Sequence, residues 1–136
     1  MSISKYFVIF ILSFAVVGSA HSEPEILKYR GTPYVSGGVT EKERKKMDRI
    51  AGRFPMHIVL ISAQSDQPIS GAKVTVKDIS GNVLVEAISE GPLFFVDVIG
   101  GRYTVEAEYN GELLTETKDL TGRRYLRLRF RFGASD

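Results

Sequence analysis

The chain has 136 residues, with 18 Lys and Arg against 16 Asp and Glu, two His and no Cys. A formal net charge of +2 makes no global field to steer nucleic acid or acidic substrates, so nucleic acid is not an expected partner and any basic site must be a local patch. The absence of cysteine excludes disulfides, thiolate chemistry, sulfur metal ligands and a lipid-modified cysteine, and leaves the hydrophobic core to hold the fold.

Residues 1–22 read as a secretory signal peptide: "MSISK" is a short basic start, "YFVIFILSFAVVG" an apolar run, and "SAHS" a small-residue cleavage region. Gly18 and Ala20 suit a cut after Ala20, and Ala20 and Ser22 a cut after Ser22. A membrane-spanning helix needs roughly 20 apolar residues, so the run is short for an anchor. The expected product is therefore periplasmic or secreted, with no transmembrane segment after cleavage. His21 belongs to the cleavage region and carries no expected chemistry. Residues 23–136 are enough for one ordinary domain by the usual allotment of roughly 100–200 residues.

Residues 23–39 are broken by Pro24, Gly31, Pro33, Gly37 and Gly38, and read as an extended arm lying on the body. Residues 40–54, "TEKERKKMDRIAGRF", read as an amphipathic helix. Thr40 and Glu43 make a capping box, and Met47, Ile50, Ala51 and Phe54 fall on one stripe. The other side presents Lys42, Lys45, Lys46, Arg49 and Arg53, either a solvated face or an anion-binding surface.

From Phe54 the period becomes alternating. "FPMHIVLISA", "GAKVTVKD", "NVLVEAIS", "PLFFVDVI", "RYTVEAEY", "ELLTETKDL" and "RRYLRLRFRF" read as seven strands separated by turn residues. The expected fold is mainly β: a seven-stranded antiparallel, Ig-like β-sandwich over residues 55–133, with the helix packed on it. Two strands are apolar on both faces. Val59 and Ile61 oppose Met56, Ile58 and Leu60, while Leu93 and Phe95 oppose Phe94, Val96 and Val98. Val59, Ile61, Leu93 and Phe95 therefore need a cover, with Met47 and Ile50 lying over Ile61 or Phe95, or else they form a partner surface.

Near the C-terminus, "YLRLRFRF" sets Arg127, Arg129 and Arg131 on one face. A tight "LTG" turn predicts an antiparallel hairpin with "ELLTETKDL", bringing Arg129 opposite Glu112 and Glu116 diagonal to Arg127. At "YNGE", a two-residue loop would put Glu112 and Glu116 on the core face. A three-residue loop with Gly111 in a left-handed bulge turns Glu106, Glu108 and Glu116 outward, and is the arrangement expected. The arginines then form a cross-strand charge ladder at roughly 0.2–1 kcal/mol a pair. The alternative is an anion site, should Arg131 lack an acid opposite it.

Catalytic groups are sparse. His57 lies mid-strand and reads as a half-exposed filler, and one histidine without cysteine makes a zinc site improbable. Ser62, Ser65, Ser70, Ser80 and Ser89 sit at strand ends and turns with no histidine partner, and Asp66, Asp78 and Asp119 sit in turns where carboxylates bond to backbone. The isolated glycine pairs are not phosphate loops. No catalytic residue, cofactor or metal is expected.

Two stretches, "QPISGAKVTVKDISGN" and "GPLFFVDVIGGRYTVEAEYNG", resemble the carboxypeptidase regulatory-like family over Asp66 to Gly111. The resemblance implies a transthyretin-like (prealbumin-like) sandwich that serves as a non-catalytic module, in carboxypeptidases and in envelope adhesins and receptors. "YVSGGVTEKERKKM" resembles the lead-in of small exported bacterial proteins of this type. The enzymatic branch of that fold, hydroxyisourate hydrolase, uses histidines and a "YRGS"-type tail, whereas this chain ends "FRFGASD". The expected function is a periplasmic or secreted module that binds an envelope protein or gives structural support. The alternative is a binder of anionic polysaccharide or lipid through Lys45, Lys46, Arg49, Arg53 and the arginine strand. The oligomeric state is not legible.

Overall fold

Alternating apolar residues in seven successive segments, with glycine-rich turns between them, can bury their surface only by pairing into sheets whose apolar faces meet. The computed structural model describes residues 24–134, and the signal-peptide reading of residues 1–22 falls outside them. The chain is mainly β. Its strands are β1 (Leu27–Tyr29), β2 (Thr32–Gly37), β3 (Met56–Ser62), β4 (Lys73–Lys77), β5 (Val83–Ile88), β6 (Leu93–Val96), β7 (Arg102–Tyr109), β8 (Glu112–Asp119) and β9 (Leu126–Phe132). The one α-helix among the described residues, α1 (Glu41–Ile50), continues into a 3-10 turn at Ala51–Arg53. One sheet runs β1-β2-β6-β3-β9 and the other β5-β4-β7-β8.

The described residues form nine strands where the sequence predicts seven. The extra two come from the supposed arm. Arg30 and Gly31, both at positive φ, turn the chain so that Leu27–Tyr29 pairs with Thr32–Tyr34, and β2 then pairs with β6. Pro33 and the glycines argue against a central strand, yet β2 accommodates Pro33 near its start, where the proline carbonyl accepts from the Asp97 amide at 3.0 Å just beyond β6. At its far end β2 runs close against the turn that leads into β6: a Cβ on Gly91 would collide with the backbone of Gly37.

A second correction concerns direction. β9 does not pair with β8. It lies parallel to β3, with Met56 beside Leu126, Val59 beside Arg129 and Ser62 beside Phe132. The chain crosses from one sheet to the other between Asp119 and Leu126, so the all-antiparallel expectation fails at this one pair. Crossing lets the inward residues of "LRLRFRF", Leu128, Phe130 and Phe132, join the buried interior. As a partner of β8, the strand would have added its large side chains to a sheet already closed by Tyr103, Val105 and Ala107.

That interior draws on both sheets: Met56, Ile58, Leu60, Phe94 and Val96 from one, Val74, Val76, Val85, Val105 and Ala107 from the other. Tyr34 stacks on Phe94 with centroids 5.4 Å apart. Fully burying each such side chain is worth about 1.5–3 kcal/mol, which the chain needs in the absence of any cross-link. A separate buried cluster seals the outer face of the five-stranded sheet. Met47, Ile50 and Phe54 pack on Val35 and Phe95, with Leu93 and Ile26 at its margin. The helix is therefore the cover, over Phe95 and not over Ile61. Its start follows the cap signal: the Glu43 amide donates to Thr40 Oγ1 at 3.1 Å, and the Glu43 carboxylate accepts from the Val39 amide at 2.9 Å.

Candidate functional site

Strand β9 alternates cleanly, so the residues between its buried apolar ones must face outward. Arg127, Arg129 and Arg131 are all exposed, on the same sheet face that α1 covers. Beside them on β3, in register, stand His57, Val59 and Ile61. The helix covers β2, β6 and the first residue of this row, and stops there. Val59 and Ile61 are half-buried, a shallow apolar strip flanked by the arginine stems.

The cross-strand ladder does not form, because the acids assigned to it lie on strands of the other sheet, which β9 does not join. The turn at Asn110–Gly111 has two residues, both at positive φ, with Tyr109 directly opposite Glu112. This is the shorter of the two loops weighed from sequence, and it places Glu112, Leu114 and Glu116 on the side of Val105 and Ala107. The arrangement is tolerable because β8 is an edge strand, so both carboxylates stay half-exposed. Glu112 accepts from the Gly133 amide at 2.8 Å, and Glu116 lies 3.6 Å from Lys118. Glu106 pairs with Lys77 at 3.3 Å, and Glu108 lies in register with Lys73.

Arg131 does have an acid: its Nη1 donates to Asp66 Oδ1 at 3.0 Å. Arg127 and Arg129 form no ion pair among the described residues. The condition that the sequence reading attached to an anion site, Arg131 lacking an acid, is thus not met; the arginines left without an ion pair are Arg127 and Arg129 instead.

The helix's basic residues are exposed apart from half-buried Lys46, but they do not all face the arginines. Lys46 and Met47 line a cavity of about 370 Å³ against Leu27, Tyr34 and Ile88, on the β1 side of the helix. The Ala51 carbonyl, by contrast, faces His57 on β3. At about 100° per residue, Lys42, Lys46, Arg49 and Arg53 therefore lean away from β9, Lys45 points outward, and Asp48 occupies the near flank. The two basic sets share a sheet face but do not merge.

His57 is buried, not half-exposed. Its Nε2 lies 2.9 Å from the Ala51 carbonyl, and its ring lies 4.4 Å from Phe95 and 5.5 Å from the stacked, exposed ring of Tyr125. Because a carbonyl only accepts, Nε2 carries the proton, and Nδ1 is left buried without a partner. The ring pins the end of the helix to the sheet. Among the proposed partner residues, Phe95 is sealed under the helix and Leu93 half-sealed, leaving Val59 and Ile61.

The turn acids bond to backbone. Asp78 Oδ1 accepts from the amides of Asn82 and Ser80, both at 2.9 Å, and the Asn82 amide above all holds its carboxyl below the usual range. Asp119 accepts from the Thr121 amide at 2.9 Å and is lowered by that bond first. No group of three or more His, Asp or Glu suited to a metal occurs among the described residues, and no helix there is long and apolar enough to cross a membrane. A search of protein-family models and of curated proteins matches this chain to none.

Proposed function

We propose that this protein is an exported, non-catalytic binding module of the cell envelope, a β-sandwich of the transthyretin-like kind that recognises an anionic partner through strand β9. The leader-like residues 1–22 support export, and the resemblance of Asp66–Gly111 to the carboxypeptidase regulatory-like family supports the module. The observation that carries the reading is the state of Arg127 and Arg129: exposed, adjacent on one face, and without an acidic partner among the described residues. Residues two apart on a strand are spaced by about 6.6 Å, where like charges repel by roughly half a kcal/mol even in water. An anionic partner removes that repulsion and adds charge-assisted hydrogen bonds. The half-buried Val59 and Ile61 beside the row supply apolar contact for whatever carries the charge.

Heparin chromatography tests this. The protein is expected to be retained at low salt and to elute as salt is raised, because released counterions drive such contacts. Arg127→Gln with Arg129→Gln should abolish retention. Lys42→Gln with Lys45→Gln, which lowers the net charge equally, should leave most of it. Passage of the native protein through the column at low salt ends the proposal.

A further inference from the structure

The free edge of β9 gives this surface a second recognition element. In a β-strand the N–H and C=O of one residue point to the same side, and successive residues alternate. The Leu126 amide donates to the Pro55 carbonyl and the Ala63 amide to the Phe132 carbonyl, at the two ends of the parallel ladder with β3. Leu126, Leu128, Phe130 and Phe132 therefore spend their backbone groups on β3. Arg127, Arg129 and Arg131 turn theirs the other way, toward the edge where β9 has no neighbouring strand among the described residues. Gly133 has the same parity, and its outward amide is taken by the carboxylate of Glu112. One end of this row of donors is thus already closed by an acid. The same arginines whose side chains lie on the outer face present free donor–acceptor pairs along the edge.

Exposed edges are normally guarded, and arginine is one way to guard them. The guard is selective. A second copy adding edge to edge would set arginine against arginine, and like charges directly opposite each other are unfavourable. A strand with glutamate or aspartate at every second position meets no such penalty. In an antiparallel hydrogen-bonded pair, the residues exchanging backbone bonds also share a face. Each acid would therefore meet an arginine side chain while its own amide bonds the arginine backbone. The intervening positions would face half-buried Leu126 and Leu114, which favours apolar residues there.

We infer that β9 accepts an extended acidic segment of a partner protein, in which acidic and apolar residues alternate, as an added antiparallel strand. This rests on the reading of β9 as the recognition surface and narrows its partner to a protein.

The purified protein is titrated with a blocked peptide of about nine residues alternating Glu and Val, with the same peptide N-methylated at its glutamates, and with a heparin oligosaccharide. The plain peptide should bind and slow hydrogen exchange at the amides of Arg127, Arg129 and Arg131. N-methylation should weaken binding by about tenfold or more, since two or three backbone bonds are lost. Arg127→Gln with Arg129→Gln should weaken it comparably. Equal binding of the two peptides, or binding of heparin alone, overturns strand addition while leaving anion recognition standing. Binding of the plain peptide unchanged by the double substitution also overturns strand addition at this edge. Failure of heparin at low salt overturns the anion-recognition reading, and failure of the plain peptide overturns strand addition.

Discussion

Asp78 and Asn82 close the turn between β4 and β5 with bonds in both directions: the Asp78 amide donates to the Asn82 carbonyl at 3.0 Å, and the Asn82 amide returns to the Asp78 carboxylate at 2.9 Å. Because these donors hold the folded carboxyl below its unfolded value, near 3.9 for an ordinary aspartate, the stabilisation is complete above that pH. It is lost as pH falls through the folded value. Asp119 behaves in the same way through Thr121. Thermal melts across the acid range should show the midpoint dropping once pH falls below about 4, and Asp78→Ala should lower the neutral-pH midpoint while flattening that drop. An unaltered acid profile in the variant would deny the turn its role. The position of Asp78 in a turn was legible from the sequence, since "DISGN" has a backbone-bonding acid and a glycine at positive φ. The burial of His57 was not, because it depends on Phe95 and Tyr125, both distant in sequence, coming to lie against its ring.

At the scale of elements, α1 was the most legible. Its cap, its stripe and its covering role all follow from spacing, because a helix with a single apolar face has to place that face somewhere. Met47 lies at the centre of the cover, 1% exposed. Met47→Ala should cost about 2–5 kcal/mol in urea unfolding, whereas Lys45→Ala on the solvent side should stay within about 0.5 kcal/mol. Equal effects would mean that the helix contributes no buried surface. Strand β9 shows the opposite case. Its existence and its inward and outward residues were plain, but its neighbour was not. A turn that looks tight on paper suggests a hairpin, and only the demand of the interior for Leu128, Phe130 and Phe132 sends the strand across to β3.

For the molecule as a whole, two buried clusters of unequal size imply two levels of stability. The larger ties both sheets together, so their central strands should share one cooperative transition. The smaller holds α1 against Val35 of β2 and Phe95 of β6, and β1 is a three-residue edge strand. Hydrogen exchange should therefore release β1 and α1 amides first and those of β3, β4 and β7 last. Uniform protection throughout would contradict this order.

Local periodicity and backbone preference were enough to establish the mainly β character, the seven strands from Met56 onward, the capped helix and the alternation that exposes the arginines. It took the packed fold to make the supposed arm a hairpin, to run β9 parallel to β3, and to set Arg127 and Arg129 apart from the acids of β7 and β8. Strand pairing is a competition among distant segments for the same buried space, and no local stretch of residues records which of them prevails.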